Sequence, residues 1–281
     1  MSAGKSTLIN ALLGTELMPS SNTACTAKVF RIEDIDTQKN FLTLCSTKRR
    51  WVRANPQKLT AENDNPQSSV VKIKGNVAGV NNHKAKLTLF DTPGPNNSRS
   101  EAHREVTQEL LNSGNYGAVI YVMNATQFGI NDDALLLAQL KQAEQNHRQK
   151  KKILFVLNKV DQLDEEKGET VEQAIQNAED YLTAAGFSSP IIIPVSALNA
   201  LQARKSLNSE RLFRSDKAGL RFQLERLKTN RSEPENNEFS ESAMNTVLNA
   251  SGIKTLESHL DNIVQNKKQK AWKEATQWIF I

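Results

Sequence analysis

Four short groups of residues in this 281-residue chain have side chains and spacings suited to holding a nucleotide by its phosphates and its base. The first is Ala3-Gly4-Lys5-Ser6-Thr7. A glycine at this point lets backbone N–H groups approach phosphate oxygens, the next lysine reaches the β- and γ-phosphates, and the hydroxyl after it ligates Mg²⁺. Gly4, Lys5 and Ser6 fit those roles, with Thr7 following them into a helix N-terminus, where anions are favoured. The first glycine of the full motif would lie before Met1, so only the second half of such a loop is written here. A Gly-Lys-Ser tripeptide alone is common and proves little.

The second group, Asp91-Thr92-Pro93-Gly94, follows an apolar run ending at Phe90. An aspartate at the carboxyl end of a parallel strand faces the crevice where nucleotides bind. From there Asp91 can hold Mg²⁺ through water, and the Gly94 N–H can approach a γ-phosphate. An ordinary turn is an equal reading of these four residues in isolation. In Asn158-Lys159-Val160-Asp161, Asp161 can accept hydrogen bonds from N1–H and the 2-amino group of guanine, which adenine cannot supply. Lys159 can lie along the base plane, and Asn158 can tie neighbouring loops together. Ser196-Ala197 comes last, with the Ala197 N–H available to guanine O6. Four such groups in this order point to a guanine nucleotide.

The elements that must position these groups are legible from periodicity. Leu8, Ile9, Ala11, Leu12 and Leu13 make a short amphipathic helix closed by Gly14. Strands are expected over Val29–Ile32, Phe41–Leu44, Val70–Ile73 and Lys86–Phe90, with Trp51–Ser69 mainly loop around Asn55-Pro56 and Asn65-Pro66. Helices over Glu101–Asn112, Asp132–Ala143 and Thr170–Ala185 then alternate with apolar strands over Ala118–Met123, Ile153–Leu157 and Ile191–Val195. Such alternation indicates an α/β fold with a mostly parallel sheet covered on both faces. Ala200–Leu227 reads as basic helix and Thr229–Asn245 as a polar connection. A last helix begins after Gly252 and is expected to run on towards Trp272, Trp278 and Phe280.

Composition narrows the classes. With 38% apolar and 24% charged residues the chain has the balance of a globular domain, and its longest apolar runs are strand-sized, too short for a membrane helix. No signal peptide is read at the N-terminus. Cys25, Cys45 and the 4 histidines form no metal-like spacing, and a reducing cytoplasm is the expected location, with peripheral membrane contact allowed. The net charge of +5 comes from short runs such as Lys48-Arg49-Arg50 and Lys267–Lys270, read as solvated faces, so there is no direct nucleic-acid signal.

Ser2-Ala3-Gly4-Lys5-Ser6-Thr7, Met18-Pro19, Thr26 and Asp91-Thr92-Pro93-Gly94-Pro95-Asn96 together resemble the dynamin superfamily, and bacterial dynamin-like proteins in particular. The resemblance runs from Ser2 to about Lys270. It implies a P-loop GTPase of three α/β/α layers, GTP/GDP and Mg²⁺ as ligands, and hydrolysis of GTP to GDP and phosphate. It implies catalytic roles for Lys5, Thr26 and Gly94, a metal set of Ser6, Thr26 and Asp91, and nucleotide contacts from Gly4, Lys5, Ser6, Thr7, Asp91, Asn158, Lys159, Asp161, Ser196 and Ala197. Thr26 corresponds to the switch threonine that completes the Mg²⁺ shell and places the attacking water. The interval of about sixty-five residues between Thr26 and Asp91 leaves room for extra strands and exceeds that of small ribosome-associated GTPases.

Two departures stand out. Met1 occupies the position of the dynamin phosphate-loop glutamine, and Asn158 replaces the usual dynamin threonine. The expected layout is a GTPase core over 1–200, a helical and polar connection over 201–250, and the start of a helical bundle over 251–281. The core is expected to lack its first strand, which should be central to the sheet, and the chain is expected to be incomplete at both ends. Such a chain should bind GTP weakly, fold poorly, or both. The resemblance implies pairing of two copies across the nucleotide face and action on a membrane or large scaffold through regions absent here. A ribosome- or RNA-associated GTPase and an adaptor with little turnover are the alternatives.

Overall fold

The computed structural model describes residues 2–19, 28–67, 69–80, 87–92, 101–114, 116–127, 131–146, 152–227, 239–266 and 276–281. Thr26 and Gly94 lie outside the described residues. The chain opens with α1 (Lys5–Leu13), followed by β1 (Val29–Asp34), β2 (Leu42–Cys45), β3 (Arg50–Arg53), α2 (Pro56–Asp64), β4 (Val70–Gly75) and β5 (Leu87–Asp91). Alternation follows through α3 (Glu101–Ser113), β6 (Ala118–Asn124), α4 (Asn131–Asn146), β7 (Lys152–Asn158), α5 (Val171–Ala184) and β8 (Ile191–Val195). The remainder is α6 (Ala197–Leu207), α7 (Arg214–Leu227), α8 (Glu241–Ala250), α9 (Ile253–Asn266) and β9 (Thr276–Phe280).

The strands form one 9-stranded sheet in the order β3-β2-β4-β1-β5-β9-β6-β7-β8. From β5 to β8 every neighbouring pair is parallel. The other half is mixed: β1 pairs parallel to β4 but antiparallel to β5, and β2 is antiparallel to both its neighbours. Alternate side chains of the parallel strands enter two separate cores. On one face Ile120, Val122, Leu154, Val156, Trp278 and Phe280 pack with residues of α1, α6, α8 and α9. On the other, Val119, Tyr121, Phe155, Leu157 and Ile279 pack with residues of α3, α4 and α5. This is the expected three-layer α/β/α arrangement, and strands buried on both faces account for the near-continuous apolar runs.

Two stretches differ from the expectation, each for a local reason. Trp51–Ser69 is not mainly loop: it holds the end of β3 and the whole of α2. Asn55 caps that helix, its side chain accepting from the Lys58 N–H at 2.9 Å, and Pro56 takes the first helical position, where its missing N–H costs nothing. An Asn-Pro pair that reads as a loop is here a helix start. The second difference is larger. Residues 276–280 do not continue the last helix; they form β9, and β9 fills the central slot between β5 and β6. Trp278, Ile279 and Phe280 are buried there, so the sheet has no gap where a strand was expected to be missing. The apolar end of the chain is core of the domain.

Candidate functional site

The parallel strands deliver their carboxyl ends to one edge of the sheet. Register sets Asp91 opposite Phe280, and Asn158 between Asn124 and Val195. The turns leaving β5, β7 and β8 carry three of the four motifs, and the N-terminus of α1 carries the fourth. Gly4 caps α1 with φ of 83°, a left-handed conformation that glycine adopts freely. A Cβ at this position would stand 2.5 Å from Asn158 Nδ2 and 3.7 Å from Lys159 Cε, so the lysine stem and the asparagine lie directly against the loop.

Asn158 is buried and joins three segments. Its Nδ2 donates to the Ala3 carbonyl at 2.8 Å, and its Oδ1 accepts from the Ala197 N–H at 3.0 Å. The backbone carbonyl of Asn158 takes a further bond from the Ala125 N–H at 2.8 Å. The expected tying role is therefore explicit. The Ala197 N–H has Asn158 Oδ1 as a partner, so contact with a base O6 requires that bond to be shared. Ser196 caps α6, its hydroxyl accepting from Asn199 N–H. Lys159 is held at φ of 70° as the cap of a 3₁₀ turn (Val160–Gln162) that carries Asp161, half-exposed at the rim. Burial pushes the Lys159 ammonium below its ordinary value, with Asp161 opposing.

The phosphate side is a buried charged cluster. Ser6 Oγ donates to Asp91 Oδ2 at 3.3 Å, and Lys5 Nζ lies 3.9 Å from Asp91 Oδ1. Lys5 Nζ also donates to the Thr92 carbonyl. Burial drives the Lys5 pKa down and lifts the Asp91 carboxyl to about 6, the nearby Lys5 charge and the Ser6 hydroxyl pulling Asp91 partly back. Asp91 Oδ1 is buried and accepts no hydrogen bond among the described residues. A buried oxygen short of a donor, beside a hydroxyl, fits a hard cation that keeps most of its ligands from water and phosphate, as Mg²⁺ does. No group of 3 His, Cys, Asp or Glu side chains able to hold a metal occurs among the described residues. Thr7 follows Ser6 in the first turn of α1, half-buried.

Several supporting residues are not motif members. Asn10, fully buried in α1, accepts from the Leu17 and Met18 N–H groups at 3.0 and 2.6 Å and donates to the Met18 carbonyl at 3.0 Å, fixing the exit from the helix. Arg204 of α6 donates to the Ala11 carbonyl at 2.5 Å and reaches the Leu12 carbonyl at 3.5 Å, while its other arm pairs with Glu257 of α9. Thr92 is buried completely and bonds to β9. In the sequence Asn10 interrupts an apolar helix face, a usable hint; Arg204 sits in a basic run and carries none.

Among the described residues no helix is long and apolar enough to cross a membrane. The Dynamin family model matches residues 1–160. A solved chain described as "An oligomerised bacterial dynamin pair provides a mechanism for the long range sensing and tethering of membranes" is 20% identical, with a TM-score of 0.50 over 94% of this chain and 40% of that one. A second, described almost identically, is 16% identical with a TM-score of 0.44, covering 95% of this chain and 35% of the other. The first likeness concerns the fold alone, and the chain spans less than half the length of either solved chain. More than half of the residues fall within the family match, and the chain belongs to the dynamin family, a family of GTP hydrolases.

Proposed function

We propose that this chain binds GTP at the carboxyl edge of β5, β9, β6, β7 and β8 and hydrolyses it to GDP and phosphate. The observation that carries the reading is the pair of bonds made by Asn158, to Ala3 of the phosphate loop and to Ala197 of the base loop, which holds both halves of a nucleotide site in one rigid frame. Asp161 accepts from N1–H and the 2-amino group of guanine, and the Lys159 stem covers the base. The N–H groups at the start of α1 cradle phosphate oxygens with the positive end of the helix dipole behind them.

Lys5 exchanges the Thr92 carbonyl for β- and γ-phosphate oxygens. Its burial keeps that charge from being screened by water, which strengthens its hold on the developing charge of the transferred phosphoryl group. Ser6, Asp91 and Thr26 are the protein oxygens suited to Mg²⁺, which when bound neutralises charge between the β- and γ-phosphates. Asp91 would supply its buried oxygen to that ion, and Thr26 and Gly94 are the residues assigned to placing the attacking water and the γ-phosphate. No side chain acts as a strong base, in keeping with a reaction that depends on positioning and charge stabilisation. We assign residues 1–200 together with β9 to the GTPase core, with 201–250 completing the domain.

Lys5→Ala tests the reading directly: titration of the full chain with GTP and Mg²⁺ should show binding that the variant loses. Retained tight binding would overturn the phosphate-loop assignment. Nucleotide-dependent self-association at a membrane or large scaffold is the proposed setting, supported by family membership. Turnover that rises with protein concentration would support it. Flat and very slow turnover would favour an adaptor, and stimulation by ribosomes an RNA-associated role.

A further inference from the structure

A phosphate-binding loop is fed by a strand whose carboxyl end aims the backbone at the phosphates. Here β9, from the far end of the chain, stands between β5 and β6 and stops level with Asp91, at the edge of the sheet that faces the loop at Ala3-Gly4. We propose that β9 anchors the phosphate side of the site through Thr92, a positioning residue for Lys5 and Asp91. The proposal rests on the GTP-binding reading above.

β9 is integral to the sheet. It pairs in parallel with β5 from Leu87↔Thr276 to Asp91↔Phe280 and with β6 from Ala118↔Trp278 to Ile120↔Phe280. Past its end the ladder to β6 continues: Ile281 N–H donates to the Ile120 carbonyl at 3.0 Å, and Val122 N–H to the Ile281 carbonyl at 2.8 Å. Trp278 and Phe280 enter one core and Ile279 the other. An apolar parallel strand with both faces covered belongs in the interior of a sheet.

The link from β9 to the site is short. Both polar donors of Thr92 go to one acceptor, the Phe280 carbonyl, which receives the Thr92 N–H at 3.3 Å and the Thr92 Oγ1–H at 2.8 Å. Two bonds from one residue to one fixed carbonyl restrain Thr92 at the point where the chain leaves β5. The carbonyl of the same residue is the acceptor for Lys5 Nζ, and the preceding residue is Asp91, which holds Ser6. The path β9 to Thr92 to Lys5 and Asp91 spans 188 positions of sequence at its first step, and every group on it is buried or nearly so.

Thr92→Val keeps the shape of the side chain and the main-chain bond and removes only the hydroxyl, while Thr92→Ser retains the hydroxyl. Measured on the full chain, Thr92→Val should weaken GTP binding about tenfold and raise the Mg²⁺ needed for half-maximal binding, and Thr92→Ser should stay close to wild type. A purely structural role would lower the melting temperature of Thr92→Val without moving the Mg²⁺ requirement. Unchanged GTP binding by Thr92→Val, or equal losses in Val and Ser, would overturn the role of the hydroxyl. The strand itself is tested with Trp278 as sole tryptophan (Trp51→Phe and Trp272→Phe): its emission should be blue-shifted and shielded from acrylamide. A folded protein in which acrylamide quenches Trp278 freely would overturn the placement of β9. Shielded Trp278 in a wild-type protein without GTP affinity would instead overturn the nucleotide reading and with it the role of Thr92, leaving the strand in place.

Discussion

Asn158 at the end of β7 donates a 2.8 Å hydrogen bond to the carbonyl of Ala3, 155 positions earlier in the chain. Its other amide atom accepts from Ala197 on the next strand's turn, so a single side chain closes the phosphate loop against the base loop. Asn158→Ala leaves a carbonyl and an N–H without these partners, each loss costing about 1–3 kcal/mol when water cannot replace it. GTP affinity, measured by titration calorimetry, should fall at least tenfold, and the melting temperature should drop by several degrees. Wild-type affinity in this variant would remove Asn158 from the site's framework.

Base choice depends on Asp161. Asp161→Asn replaces an acceptor with a group that presents a donor towards N1–H and the 2-amino group of guanine. It should weaken GTP binding strongly and improve binding of the xanthine nucleotide, whose 2-oxygen accepts a donor. Competition between the two nucleotides reads the switch, and unchanged GTP affinity would show that Asp161 does not meet the base.

Arg204 and Glu257 form an ion pair with side chains 8% and 7% exposed, and Arg204 also caps the carboxyl end of α1 through the Ala11 carbonyl. Lys254 lies 3.4 Å from the second oxygen of Glu257 but is half exposed and is a weaker partner. Removing one member of a buried pair strands the other charge, at about 3–5 kcal/mol. Glu257→Ala should therefore lower stability in urea by that order, whereas the double change Arg204→Met with Glu257→Leu should lose much less. Equal losses in both variants would show that packing, not the stranded charge, sets the cost.

Asp34, at the end of β1, is buried and accepts from the Val77 N–H at 2.8 Å. Burial pushes its carboxyl up to about 7, the Val77 and Ile35 N–H groups opposing and Asp36 adding to the rise. A raised folded pKa means that the folded state holds the proton more tightly than the unfolded chain does. That stabilisation is complete below about pH 4 and is lost as pH rises through about 7. Asp34→Asn keeps an acceptor for Val77 and cannot ionise, so it should match wild type near pH 4 and exceed it at pH 8. Urea denaturation at the two pH values measures the gap. A variant less stable than wild type at pH 8 would contradict the sign.

The sequence by itself determined the α/β class, the strands that end in motifs and the residues of those motifs. Each of these is written in local spacing: apolar runs of strand length, an aspartate just after one run, Asn-Lys-x-Asp just after another, and a glycine-lysine-serine group at the head of an amphipathic helix. Even the extra strands between Thr26 and Asp91 were legible as room in the chain, and β2, β3 and β4 occupy it. Tertiary structure alone decided which strand lies between β5 and β6. The last helix was expected to run on towards Trp278 and Phe280; their strand state depends on two neighbours, β5 and β6, more than 150 positions away. The same holds for Arg204 with Glu257 and for Thr92 with Phe280, because which polar groups are buried together, and so must satisfy one another, is fixed only when distant elements pack. The slot between β5 and β6 is held by β9, from the carboxyl-terminal part of the chain.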